Sequence, residues 1–308
     1  MKNYIKPMLA KLEKKPFDDD EWLFEIKFDG YRAVAELNKK HIKLYSRNGL
    51  DFRKKYPAVV EALEKLNLHA IFDGEIIAID KEGRHGFQVL QQSQEDSSIR
   101  QQYYAFDLIG LNGKNIRGLP LIERKKKLHD ILNENAIIRY SEHEIKEGKK
   151  LFNLASKADL EGVIAKRMDS SYIDGTRNGD WLKIKHHKSE EAVIIGYTEP
   201  KGHRQHFGSL LLAEYDDKEL TYIGHTGTGF SENTLENLSE EMKSLEIEDS
   251  SVKKPIKTKG HVTWLKPELV CNVKYAEKTK DGILRQAVFL GLRKDKSANE
   301  VKKEDANA

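Results

Sequence analysis

Trp22-Leu23-Phe24-Glu25-Ile26-Lys27-Phe28-Asp29-Gly30-Tyr31-Arg32-Ala33-Val34-Ala35-Glu36-Leu37 reads as two strands joined at a tight turn. Residues 22–27 and 31–37 carry the aromatic and β-branched side chains that suit a pleated, half-buried surface. Gly30 supplies the backbone freedom the turn needs. Working outward, residues 41–45 form a further strand before the turn Ser46-Arg47-Asn48-Gly49. Apolar residues recur at three- and four-residue spacing over 57–66, which predicts a helix with Pro57 in its first turn. Residues 70–79 alternate as a strand interrupted by Asp73-Gly74, and 87–92 read as a short helix. A buried strand over 103–109 and a basic amphipathic helix over 119–132 follow. Strands over 162–166 and 181–185 flank the turn-rich loop Asp174-Gly175-Thr176-Arg177-Asn178-Gly179-Asp180.

After Lys185 the composition shifts. Short β-rich segments at 192–197, 209–215, 220–225, 270–275 and 283–290 surround one acidic helix near 232–245. Strands with a single helix in so short a span fit a small barrel better than a helix-covered parallel sheet. Residues 1–20 read as an extended lead-in and 297–308 as a frayed polar tail.

At 308 residues the chain exceeds what one core usually supports, so two domains are expected. With 38% hydrophobic and 33% charged residues it is a folding sequence with a large charged surface, not a disordered one. No apolar run approaches the length of a membrane span, and no secretory leader pattern opens the sequence. A lone cysteine, Cys271, excludes an internal disulfide and a cysteine-rich zinc site. These features point to an intracellular, cytoplasmic protein. Net charge is only +3, but its distribution is uneven. Residues 1–188 hold 35 Lys+Arg against 29 Asp+Glu; 189–252 hold 4 against 14; 253–296 hold 12 against 4. Two basic regions flanking an acidic one permit one face to attract a polyanion.

The candidate chemistry begins at Lys27, at a strand end before Phe28-Asp29-Gly30. A lysine so placed is usually a surface residue. A lysine becomes a nucleophile only when deprotonated, and neighbouring positive charge drives it that way. Lys183 and Lys185, two apart on one strand, share a face and are the expected neighbours; they also suit an α-phosphate. Glu75 and Glu161, from separate strands, form a candidate Mg²⁺ pair, against ordinary solvation as the alternative. Phe106 could stack on a base or fill a core; Arg32 and Arg47 are fork-shaped donors beside turns. His186-His187 cannot form a metal pair, because adjacent strand residues face opposite ways.

Taken in order, Lys27-Phe28-Asp29-Gly30-Tyr31-Arg32, Ser46-Arg47-Asn48-Gly49, Asp73-Gly74-Glu75, Tyr104-Ala105-Phe106-Asp107-Leu108, Glu161-Gly162-Val163-Ile164-Ala165-Lys166, Trp181-Leu182-Lys183-Ile184-Lys185 and Arg293-Lys294-Asp295-Lys296 closely resemble the ATP-dependent DNA ligases. The ligase module of bacterial non-homologous end-joining ligases is the nearest likeness, including the lead-in Lys6-Pro7-Met8-Leu9-Ala10, and it covers residues 6–296. The resemblance implies an α+β fold: an antiparallel-sheet nucleotidyltransferase (adenylation) domain over 1–187, an OB-fold β-barrel over 188–296, and the tail over 297–308. It implies that Lys27 takes AMP from ATP as a phosphoramide, that Glu25 contacts the adenine amino group, and that Ile26, Phe106 and Lys166 line the nucleotide site. Arg32 and Arg47 would contact ribose and phosphate, Glu75 and Glu161 metal and ribose, and Lys183 and Lys185 the α-phosphate. Arg293 would grip the leaving pyrophosphate when the barrel closes, with Asp295 and Lys296 in the same motif. ATP and Mg²⁺, with Mn²⁺ as an alternative, are the implied cofactors. Nicked or broken duplex DNA is the implied partner, with recruitment by the end-binding protein Ku left open. A monomer is expected.

Only 26 residues precede Lys27, so the helical DNA-binding domain of larger ligases and the extra N-terminal domain of NAD⁺-dependent ligases are not expected. The polymerase and phosphoesterase modules often fused in the end-joining family are not in this sequence either. His186 stands where close relatives often carry cysteine. An ATP-dependent RNA ligase is the main alternative, opposed by the C-terminal barrel. A capping guanylyltransferase would label with GTP, and a non-enzymatic nucleic-acid-binding barrel would form no lysine adduct.

Overall fold

The computed structural model describes residues 4–303 apart from 40, 84, 95, 187, 201–204, 257 and 259. The chain divides into two compact units, Met1–His186 and His187–Ala308. The first unit runs β1 (Lys11–Leu12), β2 (Asp19–Ile26), β3 (Tyr31–Asn38), β4 (His41–Ser46), α1 (Pro57–Leu66), β5 (His69–Ile79), α2 (Phe87–Gln92) and β6 (Arg100–Leu111). It continues through β7 (Lys114–Asn115), α3 (Leu121–Ile131), β8 (Ile138–Tyr140), β9 (His143–Lys146), α4 (Gly148–Lys157), β10 (Gly162–Arg167) and β11 (Trp181–Lys185).

Two sheets result. One has the order β4-β3-β5-β6-β7 with β8 parallel to β6; the other has the order β1-β11-β10-β2-β9. The quoted turn therefore sends β2 and β3 into different sheets rather than making them a hairpin. Tyr31, Ala33, Ala35, Phe72 and Tyr103 point to one side of the first sheet, where Val59, Ala62 and Leu63 of α1 seal them. α1 starts at Pro57, whose missing N–H costs nothing there, and ends at Asn67 in the left-handed region. In the second sheet Phe24, Val163, Ala165 and Ile184 form one apolar face against Ala155, Leu151 and Phe152 of α4.

The strand over 70–79 is not interrupted. β5 runs straight through Asp73-Gly74, and the disturbance is a register shift against β6. Gly74 is required by close approach, since a Cβ there would lie 2.5 Å from the Tyr103 ring. α4 and the short strands β8 and β9 carried no distinct signal in the sequence.

The second unit comprises β12 (Ser189–Thr198), β13 (Leu210–Asp216), β14 (Glu219–Thr228), α5 (Glu232–Lys243), β15 (Glu246–Ile247), β16 (Val262–Leu265), β17 (Val270–Lys274), β18 (Glu277–Lys278), β19 (Leu284–Arg285) and β20 (Ala287–Leu292). Strands β12-β13-β14-β20-β17 pair in sequence and β17 returns to β12, closing a barrel. Leu238 and Met242 of α5 pack on its apolar core with Ile194, Leu212 and Phe289. Ser231 caps α5 by accepting the Thr234 N–H at 3.2 Å. The strand expected over 283–290 is broken into β19 and β20 at Gln286, which takes φ 52°.

The tail expectation is corrected for residues 297–303. Val193, Ile195, Leu211 and Ala213 face outward from the barrel, and Ala298 and Val301 bury them. Tyr215 and Val301 are joined by a main-chain hydrogen bond of 2.8 Å, so this segment is a covering layer. Residues 304–308 of the expected tail lie outside the described residues.

Candidate active site

The register of β2, β10 and β11 sets side chains in three transverse rows. Leu23, Lys166 and Trp181 stand abreast; so do Glu25, Ile164 and Lys183; and Lys27, Gly162 and Lys185 make the third. Lys27 joins its row through its N–H, which donates to the Gly162 carbonyl at 2.9 Å. Strand alternation puts these residues on the face opposite the α4 core. One sheet face thus carries Lys27, Glu25, Lys166, Lys183 and Lys185. Gly162 has φ +143°, and a Cβ would meet the Ile184 carbonyl at 2.0 Å, so no side chain separates Lys27 from Lys185 in that row. Ile26 points the other way, into the α4-facing core, leaving only its main chain toward the site.

The Lys27 ammonium is ion-paired with Glu161, and its side chain is 19% exposed. Burial pushes the amine's pKa down, but Glu161, followed by Asp29 and Glu75, more than offsets this and holds it above the ordinary lysine range. The expected depression by Lys183 and Lys185 is therefore not the net outcome; carboxylates dominate around the amine. Glu75 lies opposite Arg32 and Tyr104 in register. Among the described residues no three His, Cys, Asp or Glu side chains cluster as a metal site. Glu161 pairs with the Lys27 ammonium and Glu75 adds to its raised pKa, two hard oxygen donors of the kind a divalent cation takes.

Arg32 grips Asp73 through Nε at 3.0 Å and Nη2 at 2.6 Å, while the Tyr172 hydroxyl donates to the same carboxylate at 2.7 Å. Its guanidinium lies 5.4 Å from the ring centres of both Phe106 and Trp181. Phe106 is half-buried, and Lys166 Nζ sits 4.3 Å from its centre. Arg47 is half-buried in a turn whose Ser46 hydroxyl accepts from the Asn48 and Leu50 N–H groups.

Three buried ion pairs, gathered on two carboxylates, escaped the sequence reading. Glu25 is 2% exposed; it accepts from Lys166 at 2.7 Å and from Lys125 of α3 at 2.5 Å. Arg124, its neighbour on α3, meets Asp107 through two bonds of 2.9 Å with both side chains fully buried. Burial would raise the Glu25 carboxyl, but the two lysines hold it below the ordinary range. The signal was present: Leu121, Arg124, Lys125 and Leu128 share the buried stripe of α3, so two cations occupy core positions.

In the second unit Arg293 is bidentate to Asp295, at 2.8 Å for each bond, and its Nη1 lies 3.3 Å from Glu191. Lys296 pairs with the other Glu191 oxygen. Glu191, which was not singled out, thus ties the two ends of Arg293-Lys294-Asp295-Lys296 to β12. His186 hydrogen-bonds Ser156, with Oγ to Nδ1 at 2.8 Å; His187 lies outside the described residues. Among the described residues no helix is long and apolar enough to cross a membrane.

A unit of two sheets with lysines on one face, followed by a closed barrel, fits the nucleotidyltransferase class. A family model described as ATP dependent DNA ligase domain matches residues 7–185, and one described as ATP dependent DNA ligase C terminal region matches 203–296. The chain belongs to the ATP-dependent DNA ligases, with an α+β adenylation domain and an OB-fold barrel.

It is 39% identical over 310 residues to the multifunctional non-homologous end joining protein LigD of Pseudomonas aeruginosa, covering 98% of this chain and 37% of that protein. Against the LigD DNA repair protein of Mycobacterium tuberculosis it is 36% identical over 288 residues, covering 92% of this chain and 38% of the other. The chain spans less than two-fifths of the length of these relatives. It superposes on mycobacterial DNA ligase D complexed with ATP and MES with a TM-score of 0.73 at 35% identity, covering 97% of this chain and 98% of that one. For the ligase domain of M. tuberculosis LigD the TM-score is 0.56 at 35% identity, with the same coverages.

Proposed function

We propose that this chain seals 3′-hydroxyl/5′-phosphate breaks in duplex DNA through a covalent Lys27–AMP intermediate, in double-strand break repair. The observation that carries the reading is the shared face of β2, β10 and β11, on which Lys27, Lys183 and Lys185 stand with Glu25 and Lys166. Lys27 Nζ, once it has lost a proton, attacks the α-phosphorus of ATP; the N–P bond forms, the bond to the bridging oxygen breaks, and pyrophosphate leaves. Lys183 and Lys185 offset the charge that develops on the α-phosphate oxygens. Glu25 accepts from the adenine amino group, Phe106 stacks on the base with Lys166 beside it, and Arg32 and Arg47 hold ribose and phosphate.

Glu75 and Glu161 would hold Mg²⁺ or Mn²⁺, which would supply positive charge at the α-phosphate. Any engagement of Glu161 away from Lys27 would loosen its hold on the ammonium and favour the neutral amine. AMP passes next to the 5′-phosphate of the nick, and the 3′-hydroxyl displaces it. Arg293, with Asp295 and Lys296, serves the reaction with ATP. Action as a monomer in the bacterial cytoplasm, with recruitment to ends by Ku, completes the proposal.

The test is a gel. Protein, α-labelled ATP and metal should give a labelled protein band, and a nicked-DNA chase should move the label and then seal the nick. Lys27→Ala should form no adduct while keeping its fold; a labelled K27A band in folded protein overturns the assignment.

A further inference from the structure

Glu25 is held from two sides by unequal partners. Lys166 stands on the site face of β10, over the rings of Phe106 and Trp181 at 4.3 Å from each centre. Lys125 comes from behind, on α3, and its side chain has no exposed surface. Its Nζ donates to Glu25 Oε1 at 2.5 Å and to the Ser141 carbonyl at 2.9 Å, with the Phe106 carbonyl at 3.5 Å. The Tyr140 ring centre lies 4.6 Å away. Lys125 is therefore anchored to the main chain as well as to Glu25, and its position does not depend on Glu25 alone.

We propose that Lys125 is the positioning residue for base selection, fixing Glu25 as an acceptor-only carboxylate so that the site takes a nucleotide whose base presents an exocyclic amine and turns away one presenting a carbonyl there. The proposal rests on the reading of Glu25 as the base contact. An ionised carboxylate has lone pairs and no proton to give. Facing the amino group of adenine, it completes a hydrogen bond; facing the carbonyl of hypoxanthine or guanine, it sets acceptor against acceptor. Discrimination of this polar kind is far larger than shape alone provides in an apolar pocket. A carboxyl group buried without its cation would take up a proton or turn aside, and either change admits the carbonyl base. Lys166 is a weaker guarantor, because it lies on the face that meets the nucleotide, whereas Lys125 is directed at Glu25 and the main chain.

The experiment compares self-nucleotidylation of the full chain with ATP and with ITP, which replaces the C6 amino group by a carbonyl. Lys125→Met should lower the ATP-to-ITP rate ratio by about tenfold or more. Glu25→Gln, whose amide can donate, should lower it as well. A folded K125M protein that keeps the wild-type ratio while E25Q loses it overturns the role of Lys125, even if K125M slows both nucleotides equally. A ratio unchanged in both variants removes the Glu25 reading and the inference with it. Should K125M fail to fold, Lys125→Gln carries the same expectation, since it retains an N–H toward Glu25 without the charge.

Discussion

Replacing Arg124 by Met isolates the cost of an orphaned buried charge in the adenylation domain. Arg124 makes four hydrogen bonds from a fully buried position: two to Asp107 at 2.9 Å, one to the Ser170 carbonyl at 2.8 Å and one to the Leu119 carbonyl at 2.5 Å. In R124M the Asp107 carboxylate, with no exposed surface, keeps the neighbouring Leu108 N–H at 2.8 Å but loses the cation paired with it. Breaking one side of such a pair costs about 3–5 kcal/mol, a large part of the roughly 5–15 kcal/mol that stabilises a typical domain. At a urea slope of about 2 kcal/mol per M this is a midpoint lower by roughly 1.5–2.5 M. Tryptophan fluorescence reads the right domain in a Trp264→Phe background, which leaves Trp22 and Trp181, both in the first unit. The double variant R124M/D107N removes the stranded charge and should recover much of the loss. A single variant within about 1 kcal/mol of the parent, or a double variant no better than the single, would refute the reasoning.

Arg293→Ala should abolish most reaction with ATP yet spare sealing of a pre-adenylated nick, measured side by side; equal loss at both stages contradicts a role confined to the ATP step. His143 is held down to about 4 by burial first, then by Lys125, with Glu25 opposing. It is neutral when folded and takes a proton near 6.5 when unfolded, so its share of stability is present above pH 6.5 and is lost as pH falls toward 4. His143→Gln should flatten the fall in melting temperature across that window, and an unchanged slope counts against it. Affinity for nicked DNA should fall steeply with salt if the basic segment over 253–296 contacts phosphates, whereas a flat titration removes that footprint.

Much of this architecture was legible because strand alternation and turn residues are local signals. Pro57–Leu66 and Trp181–Lys185 have the limits their periodicity predicts. The site face of the adenylation domain was legible in part, since Lys183 and Lys185 had to share a side, but their alignment with Lys27 depends on strand register. What stayed hidden was non-local. The first turn of α4 is capped by Asp18, which accepts the Lys149 N–H at 2.9 Å across 131 residues. Val301 looked like part of a polar tail because the outward faces of β12 and β13 that need covering are far away in sequence. Lys125 is one of four successive cations, Arg124-Lys125-Lys126-Lys127, on a basic amphipathic helix, and nothing local marks it as the partner of Glu25. The carboxylates around Lys27 likewise come from the β2–β3 turn, β5 and the entrance to β10, and they reverse the electrostatic sign that the nearby lysines suggested.

That reversal bears on the resting enzyme. An amine kept as ammonium has no lone pair to offer, so cyanate, aldehydes and carbon dioxide meet an inert group at position 27. If Lys27 is the nucleophile proposed above, its reactivity would appear only when the acids that restrain it take up other work, so that the arrival of the proper substrate would awaken it and chance chemical injury would be held off in between.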